Sequence, residues 1–133
     1  MHPSENEPDR IEFTASSFRC IVLRDLAYGG HLCGYVAVPP EHPLHGADAE
    51  RVTDLLFPWE VDYAKPCDPV RGVCHVPEPG EPDDVWWFGF ACDHDDDVIP
   101  ARTAEASPGA TYKTVAVVQE ATERLAGWLL AQS

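Results

Sequence analysis

Apolar residues recur at intervals of three and four in the segment TYKTVAVVQEATERLAGWLL, residues 111–130. The recurring positions share one face of an α-helix, and they are Val115, Val118, Ala121, Thr122, Leu125, Trp128 and Leu129. Thr111 is the candidate N-cap of this helix. An apolar face of this length needs an apolar surface to cover. The pattern therefore predicts an amphipathic helix packed on one face of a sheet.

A period of two governs VWWFGFACDH, residues 85–94, and predicts a β-strand. Side chains alternate across a strand, so one face carries Trp86, Phe88, Phe90, Cys92 and His94. The other face carries Val85, Trp87, Gly89 and Ala91. We expect the bulky first face to meet the helix. On the second face the small residues beside Trp87 allow a flat group, from a ligand or from the protein itself, to approach closely.

The rest of the chain predicts further β-structure and little helix. FRCIVLRDLAYGGHLCGYVAVP predicts a hairpin over residues 18–38 with Gly29 and Gly30 in its turn. ADAERVTDLL predicts a short helix over 47–56, and EVDYA and GVCHV predict short strands. The predicted fold class is α+β. A mostly antiparallel sheet in a single domain of residues 1–133 carries the C-terminal helix on one face, and residues 1–10 form a flexible acidic arm.

The net charge of the chain limits the classes of partner that it is expected to bind. The 133 residues include 23 acidic and 9 basic side chains, a formal net charge of -14. Such a surface repels phosphate backbones and anionic lipid, which disfavours direct binding to nucleic acid or membrane. The start of the chain has neither the basic nor the apolar region of a signal peptide, and we expect a cytoplasmic protein. Its five cysteines are then expected as thiols, core residues or metal ligands rather than disulfides.

Candidate metal ligands gather around the predicted 85–94 strand. Cys92 and His94 form a Cys-x-His pair that can offer a thiolate and an imidazole to one ion. Cys74 is a third candidate ligand, with His75 next to it, and His42 lies on the proline-rich loop EHPLH. Asp97 and its acidic neighbours can supply oxygen. No cofactor is required by the sequence, and zinc on Cys74, Cys92 and His94 is the metal hypothesis.

The same residues permit other interpretations. Cys92 beside His94 or His75 forms a thiol–imidazole couple suited to nucleophilic catalysis. DHDDDV can bind a hard cation, but it lacks the glycine and distal glutamate of a calcium loop, which favours a solvated acidic turn. Cys20 and Cys33 lie within the predicted hairpin, where a cysteine is usually a small apolar residue.

Three segments carry a resemblance: CGYVAVPPEHPLHG, CHVPEPGEPDDVWWFGFACDH and the C-terminal helix. They resemble a family of small uncharacterised bacteriophage and actinobacterial proteins with a WWFGFDCAH-type signature. The matching positions include Cys33, Tyr35, His42, Cys74, His75, Trp86, Trp87, Cys92, His94 and Asp97. Members usually carry aspartate where Ala91 stands and often HGGLTY where this chain reads FPWEVDY, departures that count against an enzyme here.

Three functions follow as hypotheses. The first is a small acidic binding or accessory protein, of the kind a phage uses to modulate a host factor, with Trp87 or Trp59 as an exposed anchor. Its partner is a protein or a small molecule, and its binding candidates are His42, His75, Trp86, Trp87, Cys92, His94 and Asp97. The second is a small metal- or thiol-dependent enzyme. The third is an acidic mimic of nucleic acid. The sequence favours a non-enzyme.

Overall fold

The computed structural model describes residues 7–25, 29–53, 61–68, 73–74, 85–92, 97–100 and 108–133. Within these ranges the strands are β1 (Arg10–Ala15), β2 (Phe18–Arg24), β3 (Leu32–Val38), β4 (Tyr63–Lys65), β5 (Cys67–Asp68), β6 (Val73–Cys74) and β7 (Trp86–Ala91). The helices are α1 (Ala49–Thr53) and α2 (Val115–Ala131). The predicted α+β class is confirmed.

The main sheet is antiparallel throughout and has the strand order β1-β2-β3-β7-β4. β5 and β6 form a separate two-stranded ladder in which Cys67 pairs with Cys74. The hairpin over 18–38 is present, with Gly29 and Gly30 at φ of 123° and 88° before β3. The predicted strand in the 85–94 segment is β7, and the short strands predicted in EVDYA and GVCHV are observed in part as β4 and β6.

β1 is an edge strand that the hydrophobic pattern did not predict. It joins β2 through Ser16 and Ser17, whose φ angles are 52° and 70°. Two consecutive positive φ angles are typical of the tight hairpin turn that suits strand twist, although glycine and asparagine are its usual residues. A serine pair therefore gave no turn signal in the sequence. β1 begins at Arg10, inside the segment predicted as a flexible arm, and residues 1–6 lie outside the described part of the chain.

Helix α2 packs on one face of the sheet, as predicted, and lies mainly over β2 and β3. Its buried residues are Val118, Ala121, Thr122, Leu125, Ala126 and Leu129. They pack with the apolar side chains that β2, β3 and β7 direct toward the helix, which include Cys20, Val22, Val36, Phe88, Phe90 and Cys92. The alternation predicted for β7 is therefore correct.

The predicted N-cap of α2 is wrong. Thr114 caps the helix, with extended backbone angles, and its side chain accepts a hydrogen bond from the Val117 N–H. Thr111 instead forms a β-bridge with Asp97, which holds its backbone outside the helix. Both threonines are good caps by type, so the tertiary contact decides between them. The short helix predicted over 47–56 is observed as α1 over Ala49–Thr53, and residues 54–56 lie outside the described ranges.

Two glycines let β3 and β7 carry large rings on opposite faces of the sheet. A Cβ atom on Gly34 would lie 2.7 Å from Phe90 Cζ, on the helix side. A Cβ atom on Gly89 would lie 2.4 Å from Tyr35 Cδ1, on the other side. Gly34 pairs with Phe90 and Gly89 pairs with Tyr35 in the β3–β7 register, so each ring covers the glycine directly across from it. The open surface predicted beside Trp87 is thus filled by the protein itself.

No helix among the described residues combines the length and the apolar character needed to cross a membrane.

Candidate functional site

The loop end of the β2–β3 hairpin brings three potential metal ligands together. Beyond β2, the Asp25 N–H donates to the His31 carbonyl at 2.8 Å, which continues the strand pairing by one step. The Gly30 N–H donates to the Asp25 carbonyl, also at 2.8 Å. These two bonds close the loop and hold Asp25 and His31 side by side.

Strand register places a cysteine next to this pair. Leu23 pairs with Cys33 and Arg24 pairs with Leu32, so Asp25 faces His31 one step further on. Because side chains alternate, Asp25, His31 and Cys33 all lie on the sheet face opposite α2. Their ligand atoms all lie within 4.8 Å of one another, and His31 Nε2 is 3.8 Å from Asp25 Oδ2.

Burial divides the cluster into an inner and an outer part. His31 is 3% exposed and Cys33 5% exposed, whereas the Asp25 side chain keeps 29% of its surface. The cluster therefore offers an imidazole and a sulfur from within the fold and a carboxylate at the solvent boundary. This nitrogen, sulfur and oxygen set could hold a metal ion.

Tyrosine rings cover the sheet beside Cys33. Burial raises the pKa of Tyr35, and its interaction with Cys33 raises that pKa further, so the phenol stays protonated next to the thiol. The Tyr35 ring meets Tyr63 edge to face, with centroids 5.2 Å apart.

His42, a predicted binding residue, is a structural histidine. Its Nε2 donates to the Leu129 carbonyl at 2.7 Å, and its Nδ1 accepts from the Leu44 N–H at 3.0 Å. Its ring meets Phe18 edge to face at 5.8 Å between centroids, and the residue is 5% exposed. Both ring nitrogens are therefore used in joining the proline-rich loop to the C-terminal end of α2.

His42 and Cys92 do not converge. The His42 loop follows Val38, which pairs with Trp86 at the start of β7, whereas Cys92 follows the end of β7. The length of that strand separates them by roughly 17 Å. Cys92 is 2% exposed and packs in the core beneath α2. The structure thus places these two predicted site residues at opposite ends of the sheet.

Three more predicted binding residues, Trp86, Trp87 and Asp97, make contacts within the fold. Trp86 donates from Nε1 to the Ala47 carbonyl at 3.1 Å. Trp87 is 1% exposed beneath the Arg19 guanidinium, so it is not the exposed anchor that was predicted. Asp97 is also buried, and its Oδ1 lies 2.9 Å from Lys113 Nζ.

Other predicted ligands fall outside what the structure describes. His75 and His94 lie outside the described ranges, as does Trp59. Of Cys74, only the backbone in β6 is described. The prediction of a metal bound by Cys74, Cys92 and His94 therefore stays a prediction.

Sequence analysis missed Asp25, His31 and Cys33 as a group. The segment DLAYGGHLC shows an aspartate, a histidine and a cysteine around a glycine pair, but a two-residue turn at Gly29 and Gly30 would not give the observed register, in which Arg24 pairs with Leu32. The pattern alone favours Cys33 as a small apolar residue of the hairpin, and nothing in it links Cys33 to His31 or Asp25.

Comparisons with protein-family models, with curated proteins and with solved structures give no match to this chain. The site must therefore be interpreted from its own chemistry.

Proposed function

We propose that this chain is a small metal-binding protein that holds a zinc-class divalent ion at Asp25, His31 and Cys33. The observation that carries the proposal is the distance of at most 4.8 Å among the three ligand atoms on one side of the sheet. A carboxylate at a solvent boundary is common. A carboxylate beside a buried imidazole and a buried thiol is a set that transition metals select.

The ligand types favour zinc over calcium or magnesium. Zinc binds cysteine sulfur at about 2.3 Å and histidine nitrogen or carboxylate oxygen at about 2.0–2.2 Å, which puts tetrahedral ligands roughly 3.5 Å apart. His31 Nε2 and Asp25 Oδ2 are 3.8 Å apart, so small side-chain rotations complete the geometry for this pair. Calcium and magnesium prefer oxygen ligands alone, and a thiolate disfavours them.

Three protein ligands leave one coordination position open. Asp25 is the exposed member of the set, so the open position lies on its side and accepts water or a group from a partner. The ion joins the ends of β2 and β3, and this supports a binding or accessory role. We extend the proposal to a cytoplasmic accessory protein of the WWFGFDCAH-type phage and actinobacterial family, with a protein or a small molecule as its partner.

A thiol-dependent enzyme is the second candidate. The contact between His31 and Asp25 resembles the pair that orients a general base, with Cys33 as the nucleophile. Against it, Cys33 is 5% exposed, which leaves a substrate carbonyl little room to reach the sulfur. Alkylation of the metal-free protein separates the two functions. Rapid modification of Cys33 at neutral pH supports the enzyme, and slow modification supports the metal site.

Elemental analysis of the purified full chain tests the proposal directly. We expect one equivalent of zinc in the wild-type protein and its loss in Cys33→Ser and His31→Asn. Cys92→Ser is the matched control, because Cys92 is equally buried but faces α2. Zinc lost in Cys92→Ser or His94→Ala, but retained in Cys33→Ser, would transfer the site to the ligands predicted from the sequence. Wild-type protein that takes up no zinc after dialysis against it would refute a metal site at either place.

Metal removal gives a second measurement. A ligand present at 100 times its Kd stabilises the folded state by about 2.7 kcal/mol. For a domain of this size we expect chelation to lower Tm by roughly 10 °C. Cys33→Ser should show no response to chelation.

A further inference from the structure

Arg24 contacts the loop that carries Asp25 and His31, and it does so from the sheet face on which α2 packs. Its Nη1 donates to the Gly30 carbonyl at 2.7 Å. Gly30 in turn donates from its N–H to the Asp25 carbonyl, and it directly precedes His31. One guanidinium therefore fixes the Gly30 peptide, which lies between two of the three proposed metal ligands along the chain.

The same guanidinium is held by residues 7–9, which we call the N-terminal strap. Arg24 Nε donates to Asp9 Oδ1 at 2.9 Å, and the Arg24 backbone N–H donates to the Asp9 carbonyl at 2.7 Å. Glu7 Oε1 lies 3.6 Å from Arg24 Nη2 and accepts from the Tyr112 hydroxyl at 2.7 Å. Tyr112 also accepts from Arg24 Nη1 at 3.0 Å. The other Glu7 oxygen accepts from the Val115 N–H at the start of α2, again at 2.7 Å.

Burial makes the strap necessary to Arg24. The Arg24 side chain is 5% exposed, and a buried guanidinium is stable only when it is paired. Burial alone would lower its pKa, but the hydrogen bonds with Tyr112 and Asp9 outweigh that effect and leave the pKa raised. Without the carboxylates of Glu7 and Asp9, the buried Arg24 charge would keep only neutral acceptors, the Tyr112 hydroxyl and the Gly30 carbonyl, and its present position would be less stable.

We propose that Arg24 is a positioning residue for the metal site and that docking of the N-terminal strap raises the affinity of Asp25, His31 and Cys33 for metal. This inference rests on the proposed function. Coupling of two sites is reciprocal, so bound metal also strengthens docking of the strap. The N-terminal strap thereby acts as an internal effector of the metal site.

Cobalt titration of the full chain tests the coupling, because Co²⁺ bound to thiolate gives an absorption spectrum that depends on ligand geometry. We expect the double variant Glu7→Gln, Asp9→Asn to bind Co²⁺ about tenfold more weakly, within the usual range of coupling between sites. Arg24→Gln should do the same and should change the cobalt spectrum. Arg24→Lys should recover part of the affinity, since it restores the charge but not the fork of donors.

Leu125→Val is the matched control for a general loss of stability, because Leu125 is a fully buried residue of α2 and is not part of the strap or the site. It should lower Tm while leaving cobalt affinity and the spectrum unchanged. Strap variants that bind Co²⁺ like the wild type would overturn the coupling and leave the metal site intact.

A wild-type protein that binds no Co²⁺ refutes the proposed function and the affinity claim together. Hydrogen exchange at the amides of Asp25 and Gly30 then reports separately on whether the strap holds the loop. Faster exchange in the double strap variant supports that mechanical link, and unchanged exchange refutes it as well.

Discussion

Replacement of His42 by alanine should cost stability without affecting metal binding. The change removes two hydrogen bonds of 2.7 and 3.0 Å and the edge contact with Phe18. Each hydrogen bond contributes about 1 kcal/mol net, and an aromatic edge contact adds roughly another 1 kcal/mol. We therefore expect the free energy of unfolding to fall by about 3 kcal/mol.

Two conservative variants separate the contributions of the two hydrogen bonds to this loss of stability. Asparagine places an oxygen near the position of Nδ1, so His42→Asn keeps the bond from Leu44 and loses the bond to Leu129. Glutamine reaches the position of Nε2, so His42→Gln keeps the bond to Leu129 and loses the other. Each should cost about half as much as alanine.

Urea unfolding followed by tryptophan fluorescence measures these differences. With a slope of about 2 kcal/mol per molar urea, the alanine variant should unfold at a midpoint lower by roughly 1.5 M. Zinc content should equal that of the wild type. A His42→Ala protein of near-normal stability that has lost its zinc would show that the ring is a ligand and that its hydrogen bonds contribute little.

Two further predictions concern packing and pH. Gly34→Ala adds a Cβ atom 2.2 Å from Thr122 Oγ1, so it should lower the free energy of unfolding by about 3 kcal/mol in the same urea assay. Gly127→Ala is its control, because the nearest atom is 3.8 Å away and alanine favours a helix, so this variant should be as stable as the wild type or more stable. Burial raises the pKa of Cys20 from 9.0 to about 11, so the folded state holds this proton more tightly than the unfolded state. Its contribution is complete below pH 9 and is lost as pH rises toward 11. Cys20→Ala should therefore show a shallower alkaline loss of stability, and an unchanged slope would contradict the assignment.

The parts of the fold that sequence predicted are those with a long, regular apolar pattern. The face of α2 and the alternation of β7 are both visible in the chain, because each directs a regularly spaced set of apolar side chains into the same core. β1 escaped prediction because its residues alternate between exposed and only partly buried, and because its turn is made by two serines. The N-cap was misplaced because the β-bridge to Asp97 excludes Thr111 from the helix, and that bridge depends on a distant segment.

The candidate site is created by the pairing register of β2 and β3 and not by a sequence motif. Asp25 and Cys33 are eight positions apart, and they meet only because Leu23 pairs with Cys33 across the hairpin. Hydrophobic pattern predicts that a hairpin exists but not which residues are opposite each other. His42 shows the converse limit: a histidine between prolines has the same sequence signature whether it binds metal or a carbonyl oxygen.

The reciprocal arrangement of Gly34 with Phe90 and of Gly89 with Tyr35 has an evolutionary consequence. Neither ring can be kept if the glycine beneath it gains a side chain, so each pair must change together or not at all. Among descendants of this sequence we expect covariation at 34 with 90 and at 35 with 89. Loss of a ring is necessary but not sufficient for the facing glycine to change, because Thr122 Oγ1 also blocks a Cβ atom at Gly34 and the Gly34 carbonyl blocks one at Gly89.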